Sequence, residues 1–128
     1  MYKDNLSLNC SCSYDLYICT CTCTLSLFSH AVPPDPVTNL EVTNTDEREV
    51  SLAWMTGFNG NTPILNIEVV VFSVGEQPFK RIFQGNVNMG TIDSLMPFRD
   101  YTFSVAAVNL VDPSDRINIT ASTLSLSM

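Results

Sequence analysis

From Pro33 onward the apolar side chains fall at alternate positions of short runs. Clusters of Gly, Pro, Asn and Asp close each run. Spacing of roughly 8–12 residues between such turn signals is the mark of an all-β sandwich or barrel. No stretch sustains the 3.6-residue period that a helix needs. Pro33-Pro34-Asp35-Pro36 cannot be helical and makes a stiff, extended lead-in.

Seven strands are expected, over Asn39–Thr45, Glu49–Met55, Ile64–Ser73, Phe79–Gln84, Val87–Asp93, Tyr101–Asn109 and Ile117–Thr123. In the second, Val50, Leu52 and Trp54 share one face. In the third, Ile67, Val69 and Val71 are in phase. In the sixth, Tyr101, Phe103, Val105 and Ala107 point inward. The fifth run is irregular: Val87 and Met89 lie out of phase with Ile92, which predicts a bulge near Gly90. Alternation on all of these runs requires two sheets closing on each other, so the fold class is all-β, a seven-stranded two-sheet sandwich. Trp54 is the natural centre of the core.

Residues 1–32 are a different kind of sequence. All five cysteines lie there, at positions 10, 12, 19, 21 and 23, and Cys19 to Thr24 is a strict Cys-Thr repeat. The segment reads as disordered and low in complexity. Three origins compete for it. A secretory signal is suggested by Leu16 to Phe28 and the small-x-small triplet Ser29-His30-Ala31, and opposed by Asp4 and Asp15. A metal–thiolate cluster is opposed by the lack of lysine and glycine among the cysteines. A translated intron is suggested because a simple dinucleotide repeat encodes alternating Cys and Thr. The segment is too short and polar to span a membrane. The domain is then 33–124, with a tail at 125–128, and the chain reads as a fragment or an incomplete gene model.

Thirteen acidic against six basic residues give a net charge of −7, a poor field for gripping nucleic acid or an anionic membrane. His30, the sole histidine, lies outside the domain, and the domain has no cysteine. Ser-His and Cys-His nucleophile pairs are therefore absent. No Gly-x-Gly-x-x-Gly or phosphate loop occurs. Asp112 and Asp115 offer too few oxygens for calcium and read as turn formers. Lys80 and Arg81 are adjacent on a strand and so point to opposite faces. No catalytic, metal, cofactor or small-molecule site is expected.

Leu95-Met96-Pro97-Phe98-Arg99-Asp100-Tyr101 resembles the tyrosine-corner motif of fibronectin type III domains. The Pro-rich lead-in, Trp54, the Gly57-to-Ile64 turn and Val105-x-Ala107-Val108-Asn109 strengthen the resemblance, which covers residues 33–124. Within that family the chain looks most like repeats of sidekick-type neuronal adhesion receptors. The resemblance implies an immunoglobulin-like sandwich with a structural core of Trp54, Tyr101, Leu95, Pro97, Val69, Phe103 and Val105. Three departures stand out: Ile67 where the family carries tyrosine, Asp112 for a glycine, and Arg99 for a threonine. The second asks Asp112 to adopt a left-handed turn. Integrin-type Arg-Gly-Asp is missing from the Leu110–Arg116 loop.

Strand phase also places Val70, Phe72, Ala106, Val108 and Leu110 on the outer side of one sheet. An apolar stripe of that kind marks a partner surface. Of three Asn-x-Ser/Thr sequons, at Asn5, Asn9 and Asn118, the last has Asn118 and Thr120 pointing outward and is the candidate glycan acceptor. The resulting expectation is a non-enzymatic, extracellular binding or spacer module of a cell-adhesion receptor. It would meet protein partners, either homophilically or through neighbouring repeats, and reach the membrane only through an anchor elsewhere in the parent. The alternative is an intracellular structural repeat of a giant muscle-type protein.

Overall fold

The computed structural model describes residues 5–28 and 30–126. The chain divides into two compact units, Met1–Ala31 and Val32–Met128.

The first unit differs from the disorder expected of residues 1–32. Strands β1 (Asn5–Asp15) and β2 (Ile18–Phe28) form an antiparallel hairpin. Its physical basis is the repeat itself, since strict two-residue alternation rich in β-branched Thr suits a pleated strand. The register sets Cys10 opposite Cys23 and Cys12 opposite Cys21, and both pairs are disulfide-bonded. Those bridges use four of the five sulfurs and leave Cys19 as a free, exposed thiol. The other face carries hydroxyl pairs, Ser11 with Thr22 and Ser13 with Thr20. Val32, placed with the front by sequence, belongs to the second unit.

Among the described residues the second unit holds seven strands. They are β3 (Thr38–Thr45), β4 (Val50–Met55), β5 (Asn66–Phe72), β6 (Phe79–Gln84), β7 (Met89–Ile92), β8 (Asp100–Val108) and β9 (Ile117–Ser122). One sheet has the order β3-β4-β7 and the other β6-β5-β8-β9, all neighbours antiparallel. The alternation in the sequence turns into burial directly. Val50, Leu52 and Trp54 of β4 face Ile67, Val69 and Val71 of β5 and Tyr101, Phe103, Val105 and Ala107 of β8 across the core. Leu95 and Ile92 close it. Of the expected core residues only Pro97 is half-buried; it lies in the corner loop before β8, where its ring fixes the backbone.

The bulge expected at Gly90 is not there. β7 pairs with β4 in unbroken register, Gly90 opposite Leu52 and Ile92 opposite Val50. Gly90 itself faces inward, Met89 faces out, and Val87 precedes the strand. The inward position is empty of side chain because the Phe83 ring of β6 fills it. A Cβ at residue 90 would lie 2.5 Å from Cε1 of Phe83. Phe83 in turn packs on Trp54, with ring centroids 5.7 Å apart. The register irregularities lie in the β3–β4 pair instead, between Thr38 and Glu41 and between Val42 and Asn44.

The tyrosine corner is formed. Tyr101 is buried, and its hydroxyl accepts the backbone N–H of Met96 at 2.8 Å. Thr123 Oγ1 locks the same loop, donating to the Met96 carbonyl at 2.6 Å and accepting the Arg99 N–H at 3.0 Å. Trp54 Nε1 donates to the Val87 carbonyl at 3.2 Å, which satisfies its polar edge inside the core.

Candidate interaction surfaces

Strand phase does put β5 and β8 outward positions side by side, but they do not make the expected apolar stripe. Phe72 and Leu110 are exposed and Val70 and Val108 are half-buried, whereas Ala106 is 0% exposed. The physical reason is Glu68, which lies directly opposite Ala106 and splits the stripe. Arg116, just ahead of β9, folds back across β8 to reach it. Its Nη1 donates to Glu68 Oε1 at 3.0 Å, its Nε to Ser104 Oγ at 2.8 Å, and its Nη2 to the Ser104 carbonyl at 2.8 Å. Lys80 of β6 sits 3.3 Å from the second Glu68 oxygen. The middle of this face is thus an ion triad of Arg116, Glu68 and Lys80.

Two further cations, Arg81 and Arg99, are also paired. Arg81 lies on the opposite face from Lys80, over the Phe79 ring and 3.6 Å from Asp93. Arg99 pairs with Glu76 at 3.0 Å. Lys80 and Arg81 thus do not act together as one basic patch, since each pairs with a carboxylate on its own face.

The register defines two opposed ends. Met55, Asn66, Gln84 and Val108 lie at the leading end, where the chain comes in through Val32–Val37. Thr45, Phe72, Phe79 and Asp100 lie at the trailing end, where it leaves after Ser122.

Asn109 organises the leading end. It is 4% exposed. Its Nδ2 donates to the carbonyls of Val32 at 2.6 Å and Asn59 at 2.9 Å. Its Oδ1 accepts the N–H groups of Val111 at 2.9 Å and Asp112 at 3.2 Å. The loop therefore turns through an Asn side chain, and Asp112 keeps a negative φ, contrary to the left-handed turn expected of it. Val32 N–H completes the clamp by donating to the Gly60 carbonyl at 2.8 Å. Gly60 has φ of 82°, and a Cβ there would strike the Val32 carbonyl. Leu65, Leu110 and Val111 are exposed at this end.

At the trailing end Phe98 N–H donates to the Leu124 carbonyl and Leu124 N–H to the Asp46 carbonyl, each at 3.0 Å. Val74, Met96, Phe98, Leu124 and Leu126 are exposed there, Val74 at 97% and Phe98 at 81%. Asn118 and Thr120 are exposed on the outer face of β9, as phase required.

Sequence reasoning missed Glu68, Arg116 and Asn109. Glu68 was visible as the one charge among the alternating apolar residues of its run, and the Asn109 clamp had no local signal beyond a strand-ending asparagine. Among the described residues no group of His, Cys, Asp and Glu is arranged to hold a metal. Nor is any helix long and apolar enough to cross a membrane.

Among known proteins, Neural cell adhesion molecule L1 of Takifugu rubripes is 35% identical over 88 residues, covering 64% of this chain and 7% of that protein. Protein sidekick-1 of Mus musculus is 30% identical over 99 residues, covering 70% of this chain and 4% of its own length. The chain thus spans less than a tenth of the curated relatives it matches. The crystal structure of chicken CNTN1 FN1-FN3 domains superposes with a TM-score of 0.64 at 13% identity, over 84% of this chain and 37% of that one. That likeness shows the sandwich fold. The tyrosine corner, the core tryptophan and the two-sheet strand order coincide with a match of residues 35–120 to the fibronectin type III domain profile, and the chain belongs to that family.

Proposed function

We propose that residues 33–124 serve as a non-enzymatic module in the extracellular part of a cell-adhesion receptor, joined end to end with neighbouring repeats. The observation that carries this reading is that, besides Ile82 and Met89 on the flanks, exposed apolar side chains cluster at both ends of the sandwich. Leu110 and Val111 crown the leading end, and Phe98, Val74 and Leu126 crown the trailing end. The centre of the outer face between them is ion-paired. Apolar surface at both ends of the chain's path suits contacts with the preceding and following repeats. Similarity to Neural cell adhesion molecule L1 and sidekick-1, each far longer than this chain, supports a multi-repeat parent at the cell surface.

Messages spanning the codons of this chain test the reading first, and they should continue in frame into further repeats of the same family. The chain should then melt at a higher temperature when expressed with its native neighbours than alone. Leu110→Ser with Val111→Ser should remove that difference. Equal melting in both contexts, or flanking sequence without such repeats, refutes the proposal.

A further inference from the structure

The four sheet edges of the sandwich are not alike. An open edge invites pairing with another chain, and proteins blunt it with irregular register, short strands, charge or proline. β3 is broken by two register shifts and carries Glu41. β7 is four residues long. β6 carries Lys80 and Arg81. β9, with the sequence INITAS, has no charge and no proline, and three of its six residues, Ile117, Ile119 and Thr120, are β-branched. Among the described residues its backbone pairs only with β8. The nearest cation, Arg116, is committed to Glu68 and Ser104.

The same strand carries Asn118-Ile119-Thr120, with both polar side chains exposed on the outer face and Ile119 turned inward. We propose that Asn118 bears an N-linked glycan and that this glycan is the guard of the β9 edge. This rests on the extracellular reading, since attachment occurs in the secretory pathway. The Asn118 amide nitrogen forms a bond to the anomeric carbon of an oligosaccharide carried on a lipid pyrophosphate. The anomeric C–O bond of the donor breaks, the lipid pyrophosphate leaves, and the amide proton passes to the transferase. A bulky, hydrated sugar near the start of β9, a strand of only six residues, blocks a second sheet from seating beside it. The outer face of this sheet is then a sugar-bearing face.

The test uses the full chain with Cys19→Ser, to exclude thiol exchange, directed into the mammalian secretory pathway by an added leader. Peptide mapping after enzymatic deglycosylation in heavy-oxygen water should tag Asn118, separately from Asn5 and Asn9. Thr120→Ala should lose the tag. Sedimentation should show a monomer for the glycosylated chain, concentration-dependent association for Asn118→Gln, and a monomer again for Asn118→Lys, whose charge guards the edge instead. A secreted chain with Asn118 unmodified overturns the glycan while leaving the end-to-end reading to its own melting test. A glycosylated chain whose Asn118→Gln form stays monomeric overturns the guard.

Discussion

Replacing Gly90 by alanine adds one methyl group at a place where the structure has no room for it. The new Cβ would lie 2.5, 2.7 and 2.9 Å from Cε1, Cζ and Cδ1 of Phe83. Ordinary carbon contacts begin near 3.5 Å, so the ring must move by about 1 Å. It cannot retreat freely, because it packs on Trp54 at 5.7 Å, and Trp54 is held by the Val87 carbonyl. The backbone at 90 is ordinary extended strand, so alanine itself is not strained there. The whole penalty is overpacking, about 1–3 kcal/mol. For a sandwich of this size each kcal/mol lowers Tm by roughly 4–8 °C. Thermal and urea denaturation of the variant measure the loss. The decisive readout is the double-mutant cycle with Phe83→Leu, which removes the clashing ring edge. Each single change should destabilise, and the pair should be less harmful than their sum by about 1 kcal/mol or more, as contacting residues are. A Gly90→Ala protein with wild-type Tm, or an additive cycle, would refute the claim that Phe83 occupies the inward site of β7.

Three further outcomes are expected. Tyr101→Phe leaves the ring in place but strips the Met96 N–H of its acceptor, costing roughly 1–3 kcal/mol in urea unfolding. Trp54→Ala opens a cavity at the centre of the core and costs about 3–5 kcal/mol, enough to leave a domain of this size largely unfolded at 37 °C by circular dichroism. Asn109→Ala removes four hydrogen bonds at the leading end. Amide exchange at Val111 and Asp112 should accelerate while that of the β5–β8 ladder stays slow, because the opening is local.

Strand positions were legible because side-chain phase in a half-buried strand is a local property. Val50, Leu52 and Trp54 declare their face whatever they meet. Gly90 shows where that logic stops. A residue with no side chain has no phase to read, and the ring that fills its place comes from β6 in the other sheet. Ala106 fails for a related reason. Its burial depends on an arginine ten positions later reaching a glutamate 48 positions earlier, which no window of sequence contains. The Cys-Thr repeat shows the opposite case, since its low complexity conceals a regular two-residue period that pairs as a hairpin. Asp112 was read against an expected glycine, whereas the turn is made by hydrogen bonds to Asn109.

The Asn109 clamp has a mechanical consequence. β3 and β9 both run from the leading end to the trailing end, so tension applied along the chain loads their ladders with β4 and β8 in shear. Before that shear reaches β3, a pull on the preceding segment must draw Val32 away from Gly60 and from the Asn109 amide. The load at Val32 is shared between the Gly60 carbonyl and the Asn109 side chain, and the latter carries it to the end of β8, the central strand most deeply set in the core. Asn109 is therefore a hook that holds the entering chain to the sandwich when the preceding segment is pulled.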